Sequence, residues 1–102
     1  NRYRIIIRKD SVVVLDFNSS GSYNTTQKNK IALVWAEGKI KLFINGVLDT
    51  NISVFSTFNA NTLDVIQSLS SFGTNPFLGR LTSFNIYKTD LTDSQCISLT
   101  TL

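Results

Sequence analysis

Short runs in which apolar residues occupy every second position recur along the chain, and polar loops separate them. This alternation is typical of β-strands, whose successive side chains point to opposite faces. In the first run, Arg2–Arg8, the side chains of Tyr3, Ile5 and Ile7 share one face, and arginines predominate on the other. The next run, Ser11–Phe17, is rich in β-branched residues and predicts a well-buried second strand.

The clearest pattern lies in the middle of the chain. Two alternating runs, Lys30–Ala36 and Lys39–Ile44, are separated by Glu37-Gly38 and followed by Asn45-Gly46. Asn-Gly is a strong hairpin signal, because both residues tolerate positive φ in a type I′ turn. We therefore predict a three-stranded antiparallel meander from Lys30 to about Asp49. The side chains that it should turn inward are Ile31, Leu33, Trp35, Ile40, Leu42 and Ile44.

Three further apolar stretches predict strands in the second half of the chain. The first two are Ile52–Phe58 and Leu63–Leu69, with a polar loop between them. The third, Phe77–Tyr87, alternates less regularly, and a β-bulge near Thr82-Ser83 would bring its apolar residues onto one face.

The C-terminal segment predicts a short helix. Thr92 and Gln95 have the spacing of a capping box, which starts a helix at about Asp93. This helix should bury Ile97, with Cys96 as a second candidate. About seven short strands and one terminal helix are typical of an antiparallel β-sandwich, so we predict an all-β fold and one domain over residues 1–102.

The composition excludes several kinds of chemistry. The 102 residues include no histidine and one cysteine, which rules out His-dependent catalysis, a His-ligated metal, an internal disulfide and a Cys-based zinc site. Asp64, Asp90 and Asp93 are candidate calcium ligands, but their spacing does not form a calcium loop. We predict no metal and no cofactor.

The charge pattern does not indicate nucleic acid as a partner. The formal net charge is only +3, and the basic residues are not part of a recognised nucleic-acid motif. Two interpretations of the basic set remain open, a patch for an anionic polymer and a solvated outer sheet face that discourages aggregation. The set comprises Arg2, Arg4, Arg8, Lys39 and Lys41. No apolar run is long enough to span a membrane, so we expect no membrane insertion.

Two stretches resemble the concanavalin A-like (laminin G-like) jelly-roll family. One is KIALVWAEGKIKLFINGVLD, and the other, from Pro76 to Leu99, is PFLGRLTSFNIYKTDLTDSQCISL. In the second, the family pattern is Phe-x-Gly-x-Ile, a strand ending in Ile-Tyr, then Leu-Ser/Thr-Asp and a short helix. Residues at matching places are Phe77, Gly79, Leu81, Ile86, Tyr87, Leu91, Thr92 and Leu99.

The resemblance implies a concanavalin A-like jelly roll, of which this chain would be an incomplete or C-terminal portion. Complete members have opening strands without a counterpart before Asn1. Jelly-roll glucanases resembling this fold use a Glu-x-Asp-x-x-Glu strand, whereas this chain has only Glu37, placed in a turn. We therefore expect a domain without catalytic activity.

The low charge and the abundance of Asn, Ser and Thr are similar to the surface domains of tailed bacteriophages. The leading hypothesis is a fibre, tail or capsid-decoration domain, on the virion surface or extracellular, that binds host-surface carbohydrate. Its other partners would be virion subunits or copies of itself in a homo-oligomer, with a trimer as one option. The alternatives are a purely structural virion assembly domain and a secreted cellular laminin G-like adhesion domain.

Candidate carbohydrate contacts lie in loops, which a rigid sandwich can position at its end. The long polar loop after the second strand offers Asn18, Tyr23 and Asn24, and a later loop offers Phe72 and Asn75. An aromatic ring can stack on a sugar while amides meet its hydroxyls. The alternative for Tyr23 is that its ring folds back over the edge of the sandwich.

Overall fold

The structure, a computed structural model, describes residues 2–9, 12–24, 26–36, 38–53 and 82–102. Its elements in chain order are β1 (Arg4–Lys9), β2 (Val12–Asn18), β3 (Ile31–Ala36), β4 (Lys39–Ile44), β5 (Val47–Ile52) and α1 (Asp93–Thr100). β1 pairs with β2, and the other strands form a second antiparallel sheet in the order β3-β4-β5. The predicted all-β antiparallel architecture with one short C-terminal helix is confirmed.

Both strands predicted at the start of the chain are present, and they pair antiparallel. The prediction that the second is well buried is wrong, because Val13 is 43% exposed and none of the described side chains of β2 is fully buried. Ile5 lies opposite Phe17, and Ile7 lies opposite Leu15. The side chains of Tyr3, Ile5 and Ile7 are half-buried, whereas Ile6 on the other face is exposed. Alternation along β1 therefore assigns its faces correctly.

The predicted meander is confirmed together with its turn. Asn45 and Gly46 have φ angles of 53° and 85°, as a type I′ turn requires. One prediction about the faces needs correction, because Ile31 in β3 is 46% exposed and Trp35 is only half-buried. The predicted inward residues of β4 are all buried, and they are Ile40, Leu42 and Ile44.

The opposite face of this sheet is also buried. Phe43, which alternates with the inward residues of β4, has no exposed surface and packs in a cluster with Val34 and Cys96. Cys96 belongs to α1, and Leu91 from the segment before the helix packs on the same cluster. The helix therefore covers the face of β4 that carries Lys39 and Lys41, which alternation predicts to point outward.

The helix begins as predicted but presents a different face to the sheet. Thr92 and Gln95 form both hydrogen bonds of the capping box. Cys96 is fully buried, whereas Ile97 is 40% exposed, so the prediction that Ile97 is buried is wrong. Cys96 and Thr100 are four residues apart and share the helix face on the sheet, which turns Ile97 away from it.

The strand predicted over Phe77–Tyr87 is absent from the described part of that run. Residues 82–87 belong to no strand, although their sequence alternates. Alternation sets side-chain direction, but a strand also needs a hydrogen-bonding partner along its backbone. The remainder of that run lies outside the described residues, as do Leu63–Leu69 and the part of Ile52–Phe58 after Ser53.

Candidate functional site

A β-bulge in β5 determines the direction of the Asp49 side chain. Leu42 pairs with Thr50 and Phe43 pairs with Leu48, so Asp49 has no residue opposite it on β4. A bulge of this kind turns a side chain away from the regular alternation of the strand. The carboxylate of Asp49 reaches the β2–β3 loop, residues 19–30, instead of following the face of the sheet.

The Asp49 carboxylate fastens this loop to the meander through hydrogen bonds to both of its oxygens. Oδ1 accepts from the backbone N–H of Ser20 at 2.6 Å and from the Thr50 hydroxyl at 2.6 Å. Oδ2 accepts from the backbone N–H of Gly21 at 2.9 Å and from the hydroxyl of Tyr23. One carboxylate therefore satisfies three groups of the loop.

The electrostatics of Asp49 and Tyr23 fit this arrangement. Burial raises the pKa of Asp49, but hydrogen bonds from Thr50, Tyr23, Gly21 and Ser20 outweigh burial and lower this pKa to about 2. Burial, and then the hydrogen bond to Asp49, raise the pKa of Tyr23 to about 12. The pair is therefore a carboxylate and a neutral phenol over a wide pH range.

Two tyrosine rings meet beside the loop. The rings of Tyr3 and Tyr23 have their centroids 5.8 Å apart and are tilted by 42°. The backbone of Tyr3 is fixed by Ser19, whose fully buried hydroxyl accepts the Tyr3 N–H at 3.0 Å and donates to the carbonyl of Gly21. Ser19 N–H donates to the Tyr3 carbonyl at 2.7 Å. The start of β1 and the loop thus form one hydrogen-bonded unit.

A chain of side-chain amides links the same loop to the β4–β5 turn. Asn29 Nδ2 donates to the Tyr3 hydroxyl and to the Asn24 carbonyl, each at 3.0 Å. Asn45 Nδ2 donates to Asn29 Oδ1 at 2.9 Å, and Asn45 Oδ1 accepts from the backbone N–H of Lys30 at 2.9 Å. The Tyr3 hydroxyl accepts in this chain, and its own proton has no acceptor among the residues that the structure describes.

The structure brings part of the predicted carbohydrate site together. Tyr23 and Asn24 lie in the loop unit, and Asn18 is the exposed last residue of β2. Asn24 Oδ1 accepts from the backbone N–H and hydroxyl of Thr26. The Asn18 side chain and Asn24 Nδ2 make no hydrogen bond within the described ranges, so both can donate outward. Phe72 and Asn75 lie outside those ranges.

Tyr23 folds back on the protein, as the alternative interpretation of the sequence proposed. Its hydroxyl is bound by Asp49, and its ring lies against Tyr3. Both rings are half-buried, so each keeps some surface in contact with solvent. Carbohydrate binding by Asn18, Tyr23 and Asn24 stays a prediction.

The residues that organise this site were not predicted from the sequence. Tyr3 was assigned to a strand face, and Ser19, Asn29 and Asp49 were not singled out. One signal for Asp49 was available, because Asp is uncommon in strands and this one follows a hairpin turn closely. Its partners in the β2–β3 loop lie 26 to 29 residues away along the chain, so spacing could not reveal them.

Most of the basic set is paired with acidic side chains. Arg4 binds both oxygens of Asp16, at 2.9 and 2.7 Å. Lys39 and Lys41 donate at 2.9 Å to two of the candidate calcium ligands, Asp90 and Asp93 respectively. These lysines therefore attach the segment before α1 and its first turn to β4. No group of acidic, histidine and cysteine residues in the described part of the chain has a geometry that could hold a metal.

A shallow groove of about 440 Å³ lies on the outer side of α1. Tyr87 and Leu91 line one wall, and Leu99 lies on the helix side with serine and glutamine side chains. Two of its apolar lining residues are exposed, Tyr87 at 49% and Leu99 at 48%. Among the described helices, none is long and apolar enough to cross a membrane.

The sequence was compared with protein families, curated proteins and solved structures. Residues 1–96 match the family model described as the concanavalin A-like lectin/glucanases superfamily. Neither the curated proteins nor the solved structures gave a match. The matched residues include all five described strands and the site around Asp49. The chain therefore belongs to the concanavalin A-like lectin/glucanase superfamily.

Proposed function

We propose that this chain is a non-catalytic domain on a virion surface or appendage, and that it binds host-surface carbohydrate. The observation that carries the proposal is the loop unit around Asp49. It holds two tyrosine rings beside Asn24, and the exposed side chain of Asn18 lies at the end of β2, where the loop begins. Membership of a superfamily that includes lectins supports the same function.

The chemistry of these groups suits a saccharide. Sugars offer hydroxyls that bind amide donors and an apolar ring face that stacks on an aromatic side chain. The Tyr3 hydroxyl, whose proton has no acceptor among the described residues, adds a donor beside the rings. Because Asp49 and Asn29 already fix the loop, binding costs little conformational entropy.

The acidic residues of the described part are poorly suited to glycoside hydrolysis. That reaction needs a carboxylic acid that keeps its proton, at a set distance from a second carboxylate. The pKa of Asp49 is lowered to about 2, and Asp90 and Asp93 are paired with lysines. This supports binding over hydrolysis as the function.

A site on one exposed loop has a small contact area, so each copy should bind weakly. Display of several copies in a homo-oligomer would raise the avidity without any new contact. This is the reason to place the domain in a fibre, tail or capsid decoration, where many copies face the same host surface.

A glycan array with the oligomerised domain tests the proposal. The test variant carries Asn18→Asp and Asn24→Asp, which removes the amide donors, while the carboxylate introduced at position 24 keeps an oxygen for Thr26. Asn85→Asp is the matched control, because Asn85 is exposed in the C-terminal segment. We expect the double variant to lose binding and the control to keep it. Equal binding by both variants would remove this loop as the site.

A purely structural role in virion assembly is the second candidate. The exposed side chains of Tyr87 and Leu99 in the α1 groove favour it, because exposed apolar patches often mark protein interfaces. Sedimentation of the wild type and of Leu99→Ser tests this candidate. Association that is lost in the variant, without glycan binding by either protein, would support assembly as the function.

A further inference from the structure

Asn45-Gly46 is the only Asn-Gly pair in the sequence. Glycine has no side chain to keep its backbone nitrogen away from the preceding carboxamide. In the reaction that this permits, Gly46 N bonds to Asn45 Cγ and loses its proton. The bond from Cγ to the side-chain nitrogen breaks, and that nitrogen leaves with the proton as ammonia. Water then opens the succinimide ring to aspartate or isoaspartate.

The folded protein restrains every group that this reaction uses. Gly46 N–H, the nucleophile, donates to Thr100 Oγ1 at 3.1 Å. The carboxamide of Asn45 is held at both ends, by Lys30 N–H and by Asn29 Oδ1. The backbone N–H of Asn45 also donates to the Lys30 carbonyl at 2.9 Å. The nucleophile and the carbon it would attack are therefore fixed separately.

The restraint on the nucleophile comes from α1, not from the hairpin itself. Thr100 is the last residue of the helix, and its buried side chain also donates to the Cys96 carbonyl at 2.8 Å. We propose that Asn45 is a deamidation site whose reaction is controlled by the docking of α1 on the β4–β5 turn. When the C-terminal end of the helix separates from the turn, Gly46 N becomes free to react.

Deamidation would alter the loop that Asn45 supports. An aspartate at position 45 can still accept from Lys30 N–H, but it can no longer donate to Asn29 Oδ1. If Asn29 keeps its hydrogen bonds to Tyr3 and Asn24, its Oδ1 faces the new carboxylate at position 45 with no proton between the two oxygens. If Asn29 turns over, it loses both hydrogen bonds that it donates to those residues. Either outcome breaks the hydrogen-bonded chain that links the β4–β5 turn through Asn29 to Tyr3 and Asn24.

Peptide mapping by mass spectrometry after incubation at mildly alkaline pH tests the proposal. Thr100→Val keeps the side-chain shape and removes the oxygen that holds Gly46 N–H. We expect deamidation at Asn45 to become about tenfold faster, the factor that corresponds to loss of one hydrogen bond. Thr101→Val is the matched control, since the Thr101 hydroxyl donates to Ile97 and not to Gly46. It should react at the wild-type rate.

A second measurement does not depend on the fold of a variant. Wild-type protein in denaturant should deamidate at Asn45 much faster than native wild type at the same pH. Equal rates for Thr100→Val and wild type, with both folded by circular dichroism, would overturn the proposal. Equal rates for native and denatured wild type would overturn it as well.

Discussion

The carboxylate of Asp49, at a bulge in β5, accepts a hydrogen bond from the hydroxyl of Tyr23 in the β2–β3 loop. The same carboxylate holds two backbone amides of that loop, at Ser20 and Gly21. A single acidic side chain thus orders the segment that we propose as the carbohydrate site. Removing the Asp49 carboxylate should therefore loosen the β2–β3 loop more than it disturbs the meander.

Asp49→Asn tests this role. The amide keeps one oxygen acceptor but turns an NH₂ group toward donors of the loop, so their hydrogen bonds are lost. We expect the free energy of unfolding to fall by about 2 kcal/mol, measured by urea denaturation. The matched control is Asp90→Asn, which breaks an exposed ion pair with Lys39 and should change the unfolding free energy far less. Equal losses would contradict the special role of Asp49.

The pKa of Asp49 predicts an acid dependence of this contribution. In the folded state the pKa falls from 3.8 to about 2, so the stabilisation is complete above pH 3.8 and is lost as the pH falls through about 2. The difference in unfolding free energy between wild type and Asp49→Asn should therefore shrink between these pH values. A difference that stays constant down to about pH 2 would contradict the assignment.

The raised pKa of Tyr23 predicts that its contribution to stability is lost at alkaline pH. Its pKa is raised from 10.0 to about 12, so its stabilisation is complete below pH 10 and is lost as the pH rises through about 12. The stability difference between wild type and Tyr23→Phe should narrow over this interval. Ultraviolet titration gives an independent check, since one tyrosine should ionise at about pH 12. If Tyr23 ionises near pH 10, neither burial nor the hydrogen bond to Asp49 acts on its hydroxyl as we describe.

Two glycines of the described residues have positive φ, and they form a matched pair of test sites. Gly46, at φ 85°, has Thr101 Oγ1 at 3.0 Å from the place of an added Cβ, whereas Gly38, at φ 67°, has no atom within 4 Å. An alanine at either position costs about 1–2 kcal/mol of backbone strain. Gly46→Ala should cost more than Gly38→Ala, and Thr101→Ala should recover part of the excess. Equal costs in thermal denaturation would mean that Thr101 does not contact the turn.

The thiol of Cys96 reports whether α1 is docked. The side chain is fully buried, and burial raises the pKa of the thiol, so a thiol reagent should label the native protein slowly. Thr92→Ala removes the N-cap, which costs about 1 kcal/mol, and labelling should become about fivefold faster. Ser94→Ala, at an exposed position in the first turn, should label like wild type. Fast labelling of wild type would contradict a docked helix.

Local signals in the sequence predicted the elements that local chemistry determines. The Asn45-Gly46 turn and the Thr92 capping box depend on residues within a few positions of each other, and both are confirmed. Alternation also predicted the buried side chains of Ile40 and Leu42. In the turn and the capping box the neighbouring residues determine the structure, and in β4 they determine the direction of each side chain.

Features that depend on distant contacts were not predictable in this way. Alternation predicted an outward face for Lys39 and Lys41, but α1 covers this face of the sheet and buries Phe43 there. The Ile97 prediction failed because the helix approaches the sheet through Cys96. Asp49 joins the site through a bulge, which shifts the register of β5 without an obvious mark in the sequence.

The most direct test of the proposed function is an NMR titration of the isotope-labelled protein with a panel of mono- and disaccharides. Weak binding in fast exchange shows which residues a sugar contacts. We expect chemical-shift changes at Tyr3, Asn18, Asn24 and Asn29. The double variant Asn18→Asp with Asn24→Asp should abolish these changes, and the control Asn85→Asp should preserve them. Absence of shifts with every sugar, or shifts confined to the groove on α1, would contradict carbohydrate binding at the loop that Asp49 holds.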